Sequence, residues 1–254
     1  MDITFGSLFS GGGGLDLGLE RAGLKCAFQV ENDRHCLTLL ERHWPDVPKN
    51  EIRPCVGLVG GDPCPVRSKM GRIVGTSSPD MSGHFLAMVA RCEPGWVLRE
   101  NVPSPDVTDF ATALTVIGHR VIVVEMDSKA FTGQMRRRQF VVGFRDKQVA
   151  GRFETLVREK SDQADNTKYS QGGQAVRCLT KRGRSGINIF ANYVYEGPKR
   201  GLRSLSHAER ESLQGWPVGW TDGLPHSARE RITGNGVTAP VAEWIGKRII
   251  EANR

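Results

Sequence analysis

Along the first 145 residues, short apolar runs alternate with stretches where apolar residues recur every three or four positions. The run from Ile3 to Phe9 predicts a strand, and Ser10 to Gly14 a glycine turn. Leu15, Leu19 and Ala22 then keep helical spacing until Gly23, which ends the helix. Cys26 to Val30 and Val56 to Gly60 read as the next strands, the latter running into Gly61-Asp62-Pro63-Cys64. Trp96 to Leu98 leads into Arg99-Glu100-Asn101-Val102-Pro103. Val107, Phe110, Leu114 and Ile117 mark one face of a helix, and strands at Arg120 to Val124 and Gln139 to Phe144 close the series. Strands alternating with helices in this way predict an α/β fold with a doubly wound, mostly parallel sheet of Rossmann-like type.

The pattern changes at about residue 146. From 146 to 202 the chain is polar and basic, with Lys160, Lys168, Arg177, Lys181, Arg182, Arg184, Lys199 and Arg200 and few long apolar runs, which predicts a small separate lobe. Beyond it, Pro240 suits the first turn of a last helix, and Val241, Trp244, Ile245 and Ile249 give that helix one face to pack on the first domain. The expected division is 1–145 for the large domain, 146–225 for the lobe and 226–254 for the returning helix.

Lys and Arg number 35 against 28 Asp and Glu, a net charge of +7 that suits a polyanionic partner without demanding one. The six cysteines, at 26, 36, 55, 64, 92 and 178, form neither a CxxC pair nor a Cys/His comb. They read as reduced thiols, not as a disulfide framework or a metal site. The first residues lack a basic segment followed by an apolar one, and no apolar run approaches the roughly 20 residues that span a bilayer. The expectation is a soluble cytoplasmic protein.

Four features carry candidate chemistry. Phe9-Ser10-Gly11-Gly12-Gly13-Gly14 follows a strand and opens a helix, where bare backbone can approach a ligand, and Glu31 ends the second strand, where a carboxylate can take ribose hydroxyls. The same turn could equally be glycine-rich for packing. Cys64 follows a buried-looking strand between two prolines, a place for an exposed nucleophile or for a half-buried structural thiol. Glu100 also ends a strand and could be a general acid, a metal ligand or part of a solvated rim. Gln134, Arg136 and Arg138 share one side of an extended segment by period two, fit to grip phosphate or a base carbonyl, or merely to form a charged surface.

In their order these segments resemble the cytosine-5 DNA methyltransferases. Phe9 to Leu15 resembles that family's cofactor loop, Glu31 its ribose-binding acid, Gly61-Asp62-Pro63-Cys64 its nucleophile loop, Glu100-Asn101-Val102 its ENV signature, and Gln134, Arg136 and Arg138 its QxRxR. Arg203-Ser204-Leu205-Ser206 through Leu213-Gln214-Gly215-Trp216-Pro217 resembles the segment after the family's target-recognition region, and Gly234-Asn235-Gly236-Val237 its last motif. The resemblance implies S-adenosylmethionine as cofactor, no metal, and methylation of carbon 5 of a flipped-out cytosine in duplex DNA through a covalent Cys64 adduct. It implies catalytic roles for Cys64, Glu100, Arg136 and Arg138, and cofactor contacts from Phe9, Ser10, Gly11, Gly13, Glu31, Glu51, Asn235 and Val237. Gln134 and, in the basic lobe, Arg182 and Arg184 would meet DNA. A monomer is the default, and a restriction endonuclease partner is compatible with the resemblance.

The chain departs from the family's Pro-Cys-Gln in having Pro63-Cys64-Pro65, with Arg67 where an aromatic is frequent. Asp62 adds a carboxylate two residues before the nucleophile; pointing inward it would raise the thiol pKa, pointing outward it would not. Two other readings follow from these features: a tRNA cytosine-5 methyltransferase on the same fold, and a catalytically weak DNA-binding relative.

Overall fold

A computed structural model of the chain describes residues 3–63, 81–165, 176–177, 193–196, 198 and 202–254. Six strands form the central sheet: β1 (Thr4–Leu8), β2 (Lys25–Val30), β3 (Gly57–Gly60), β4 (Trp96–Asn101), β5 (Arg120–Asp127) and β7 (Arg137–Phe144), in the order β2-β1-β3-β4-β7-β5. The first four are mutually parallel, and β7 runs antiparallel between β4 and β5. The expected α/β sheet is present and mostly parallel. Small pieces accompany it: β6 (Gln134–Met135) pairs with β8 (Val176–Arg177), and β9 (Tyr193–Tyr195) with β10 (Leu202–Ser204).

Helices cover both faces because the strands are apolar on both. Phe5, Val59, Leu98, Phe140, Val142 and Phe144 face one cluster with α1 (Gly14–Ala22), α6 (Lys147–Asp165) and α9 (Ala239–Ala252). Their strand neighbours Leu58, Val97 and Val141 face the other, with α3 (Ser82–Cys92) and α4 (Asp106–Val116). Strand alternation thus divides one sheet between two cores. α1 and α9 approach backbone to backbone at Gly18, where a β-carbon would stand 2.3 Å from the Ala239 carbonyl oxygen. α5 (Lys129–Thr132) is a single turn between β5 and β6.

A third cluster joins α2 (Arg34–His43) to the C-terminal part of the chain. Leu39, Leu40 and Trp44 pack there with Trp216, Trp220 and Ile232, the last from α8 (His226–Asn235). Between them, α7 (His207–Leu213) opens with a capping box, the Ser206 hydroxyl accepting from the Glu209 N–H while Glu209 accepts from that of Ser206.

These contacts correct the expected boundaries of the lobe. The helix that begins at Lys147 buries Val149, Ala150 and Phe153 in the core of the large domain, Phe153 against Phe144. Its polar face hid an amphipathic stripe that the run of charges disguised. Trp216 and Trp220 likewise belong to the large domain. Most of the chain between 166 and 201, with Arg182 and Arg184, lies outside the described residues.

Candidate active site

The register of the parallel strands sets the site. Val30 pairs with Leu8, Leu8 with Gly60, and Gly60 with Arg99. One residue further along each strand come Glu31, Phe9, Gly61 and Glu100, a row along the carboxyl edge of the sheet. With about 4.8 Å between strands, the main chain of the row spans roughly 14 Å from Glu31 to Glu100. Ligands of open α/β sheets sit at this edge.

At one end is the glycine turn. Its four glycines divide between the two readings that the sequence left open. A β-carbon on Gly12 would stand 2.6 Å from Ile232 and 2.9 Å from Trp216, one on Gly13 2.5 Å from Trp44, and one on Gly14 2.3 Å from the Val237 carbonyl oxygen. These three are glycine for packing. At Gly11 the nearest atom is the Phe9 carbonyl oxygen at 3.8 Å, and its φ of +56° is a conformation that favours glycine. Gly11 is therefore bare toward open space. Gly13 is the N-cap of α1 and donates its N–H to the Ser10 carbonyl at 2.9 Å.

Glu31 closes that end. Its carboxylate accepts from the Gly11 N–H at 2.7 Å and from the Asn32 and Asp33 N–H groups at 2.8 Å each. Phe9 adopts a left-handed φ of 52° and stacks on Phe85 with ring centres 6.5 Å apart. Ser10 is buried and donates to Ser7 Oγ at 2.9 Å; Ser7 in turn donates to Asp16 Oδ1 at 2.6 Å. Asp16 is fully buried beneath the turn, and burial pushes its carboxyl up to about 6. Glu51 is exposed and paired with Arg53 at 2.7 Å, next in the chain to Asn50, whose side-chain oxygen accepts from the Glu31 N–H at 3.0 Å.

At the other end Glu100 is 7% exposed, and Arg138 Nε lies 3.0 Å from its Oε1 in an ion contact whose N–H does not point along the line. Gly61 passes so close that a β-carbon on it would be 3.0 Å from Glu100 Oε2. Cys64 lies outside the described residues. Among the other described cysteines, burial raises the thiols of Cys26, Cys36, Cys55 and Cys92, that of Cys55 to about 11, so all four are held as neutral thiols.

The period-two reading of 134–138 holds, and its consequence differs from the expectation. Gln134 and Arg136 are buried, Met135 and Arg137 exposed. Gln134 Nε2 donates to the Leu213 carbonyl at 2.9 Å, and Arg136 donates to the carbonyls of Gly234 (3.1 Å) and Gly236 (2.8 Å). Both tie the strand to the C-terminal segments. Arg138 alone of the three reaches the Glu100 carboxylate. Asn235 is exposed on the loop that Arg136 holds, and the Val237 carbonyl accepts from Trp216 Nε1 at 3.2 Å.

Three tryptophans that composition and spacing did not single out for this purpose brace the turn. Trp44 and Trp216 fill the space that glycines 12 to 14 leave, and Trp220 Nε1 donates to the Gly12 carbonyl at 2.9 Å while its ring stacks on His43 at 3.5 Å. The available signal was the concentration of tryptophan after residue 215, within reach of a glycine run that needed a cover.

A sequence model of the C-5 cytosine-specific DNA methylases matches residues 3–182 and 149–251. The chain belongs to this family. The type II methyltransferase M.DsaV of Dactylococcopsis salina is 30% identical, with 98% of this chain and 86% of that protein covered. M.MthTI of Methanothermobacter thermautotrophicus is also 30% identical, over 58% of this chain, and M.FnuDI of Fusobacterium nucleatum 29%. The chain spans about half the length of these last two, 50% and 48% respectively. Among solved structures, Entamoeba histolytica methyltransferase EhMeth superposes with a TM-score of 0.74 at 13% identity, covering 100% of this chain and 99% of that one. A putative DNA modification methyltransferase encoded within an E. coli prophage gives 0.69 at 17%, with 99% of each covered. These two establish the fold of a methylase.

At the Glu31 end, a bare Gly11, a carboxylate held by three N–H groups and the nearby Phe9 ring are groups that suit a nucleoside cofactor.

Proposed function

We propose that this methylase transfers a methyl group from S-adenosylmethionine to carbon 5 of a cytosine flipped out of duplex DNA. The observation that supports the reading is the row Glu31–Phe9–Gly61–Glu100, whose end residues stand roughly 14 Å apart in the main chain along one sheet edge. Pro63-Cys64 follows directly on the row.

Glu31 would hold the ribose hydroxyls, Phe9 would lie against the adenine, and the Gly11 backbone would take the methionine part. The cofactor, when bound, supplies an electrophilic methyl group. Carbon 5 of cytosine is too weak a nucleophile to use it unaided, and Cys64 corrects that: its thiolate forms a bond to carbon 6, and the displaced electron pair makes carbon 5 enamine-like. Glu100 accepts from the exocyclic amine and shares a proton with ring N3, offsetting the charge that develops as sulfur adds. Arg138 holds the Glu100 carboxylate and, with its remaining N–H groups, the base carbonyl. After methylation a base takes the carbon 5 proton, the electron pair returns to the ring, and Cys64 leaves as thiolate. Arg182, Arg184 and the basic chain around them would neutralise phosphates of the duplex.

The reading is tested with duplex DNA carrying 5-fluorocytosine in many sequence contexts, with S-adenosylmethionine and either native protein or Cys64→Ser. Fluorine at carbon 5 blocks the elimination, so the native protein is expected to trap itself as a denaturant-resistant adduct that the serine variant does not form. DNA binding without an adduct would overturn the covalent route, and an adduct on tRNA but not on DNA would overturn the substrate.

A further inference from the structure

Asp62 and Arg99 form a buried bidentate ion pair. Arg99 Nε lies 2.5 Å from Asp62 Oδ1 and Nη2 2.7 Å from Oδ2, with the two side chains 4% and 0% exposed. The guanidinium also lies over the Phe110 ring at 4.2 Å, and Asn101 Nδ2 donates to the Asp62 carbonyl at 3.3 Å. Asp62 therefore points inward, with its charge met by a fixed partner. Burying two ions costs desolvation that an apolar pair would avoid, so stability alone does not account for them. Their position suggests another use. Asp62 is two residues before Cys64, and Arg99 is next to Glu100.

We propose that Asp62 and Arg99 are a positioning pair, which pins the chain leaving β3 to the strand that carries Glu100 and so fixes where Pro63 delivers the nucleophile. The inference rests on the proposed methyl transfer. Alternation along β4 puts Arg99 on the Phe110 side of the sheet and Glu100 on the opposite side. Gly61, without a side chain, passes against Glu100 on that opposite side. The chain at 61–62 is thus gripped from both faces of one strand end, by a fork at Asp62 and by close contact at Gly61. A guanidinium fork fixes direction as well as distance, which a lysine or an apolar side chain does not. The departure at Asp62 and the arginine before Glu100 are in this way a single feature.

The test compares native protein with Arg99→Met, Asp62→Asn and the double variant Asp62→Asn/Arg99→Gln, whose two amides can keep paired hydrogen bonds without charge. For each, single-turnover trapping on 5-fluorocytosine DNA is measured beside the affinities for unmodified DNA and for S-adenosylmethionine. Each single variant is expected to slow trapping by about tenfold or more while both affinities stay within about twofold, and the amide pair to recover to within about threefold of native. Trapping at native rate in the single variants, an amide pair as slow as either single, or affinities falling in step with the rate would each overturn the assignment. Should Asp62→Asn unfold the protein by stranding Arg99, Arg99→Lys decides. It keeps the charge and loses the fork, so slowed trapping supports the pair and native trapping removes it. If native protein traps no DNA, the proposed activity fails and takes the pair with it; if native protein traps and the variants trap equally, the pair alone fails.

Discussion

Arg136 is the residue at which two physical accounts of this chain differ most sharply. The basic sequence around it suggests a grip on DNA, whereas the structure makes it a strut between β7 and the loop at 234–237. Replacing it with methionine keeps much of the buried volume and removes both N–H contacts, to Gly234 at 3.1 Å and to Gly236 at 2.8 Å. Hydrogen bonds from a charged donor are worth about 1.5–3 kcal/mol each. Part of the loss is offset, since methionine avoids the cost of burying a cation and Gln214 Nε2 still lies 3.3 Å from the Gly236 carbonyl. A net destabilisation of about 3 kcal/mol follows, and for a chain of this size about 2–4 °C per kcal/mol gives a fall in Tm of roughly 6–12 °C. Because the loop held by Arg136 packs on Gly14 through Val237, cofactor affinity should fall with it. The assay is a thermal melt with and without S-adenosylmethionine, together with DNA affinity across salt concentration. An unchanged melt with DNA affinity lost and the salt slope reduced by about one would refute the strut and restore the phosphate contact.

Three further outcomes are expected. Asp16 is held up to about 6 by burial, against 3.8 in the unfolded chain, so it binds its proton more tightly when folded. Its contribution favours the folded state below about pH 4 and is lost as pH rises through 6, so Asp16→Asn should raise stability at pH 7.5, by about 3 kcal/mol at most, and flatten the pH dependence between 4 and 6 in urea titrations. Gln29 Oε1, which has no partner, can turn to meet the new amide; a less stable variant at pH 7.5 would count against buried charge as the cause. Gly14→Ala should cost about 1–3 kcal/mol and weaken cofactor binding, because its β-carbon meets a carbonyl oxygen at 2.3 Å and Trp216 Nε1 at 2.8 Å; a native melt would show that the cover yields. Gly61→Ala should slow trapping by displacing Glu100 from 3.0 Å while leaving cofactor affinity unchanged, and isothermal titration beside the trapping assay separates the two.

What the sequence made legible follows from how local each signal is. Strands β1 to β5 and the doubly wound sheet were readable because the apolar runs are short and punctuated by glycine and proline. That Glu31 and Glu100 share one edge was readable because both lie at strand ends, and such ends share one edge of a parallel sheet. The lobe's lower boundary was not, since Lys147 to Asp165 carries its apolar stripe among ten charged or amide side chains and reads as polar on average. Nor was the division of the four glycines, which depends on Trp44, Trp216 and Trp220 arriving from distant segments.

The same reasoning explains why Gln134, Arg136 and Arg138 could be grouped correctly and yet serve different ends. Period two states that three residues share a side of the chain; it does not state what lies on that side. Here the side is covered progressively along the strand. Gln134 meets the Leu213 carbonyl, Arg136 the loop at 234–236, and Arg138 emerges past that loop's cover onto Glu100. Arg99 and Glu100 show the converse: adjacent in sequence, they are set on opposite faces, one gripping Asp62 and the other facing Arg138. A charged residue at a strand end is therefore assigned by its partner on its own face. By that criterion Arg138 is assigned to Glu100, Arg136 to the loop at 234–236 and Arg99 to the chain leaving β3 at Asp62.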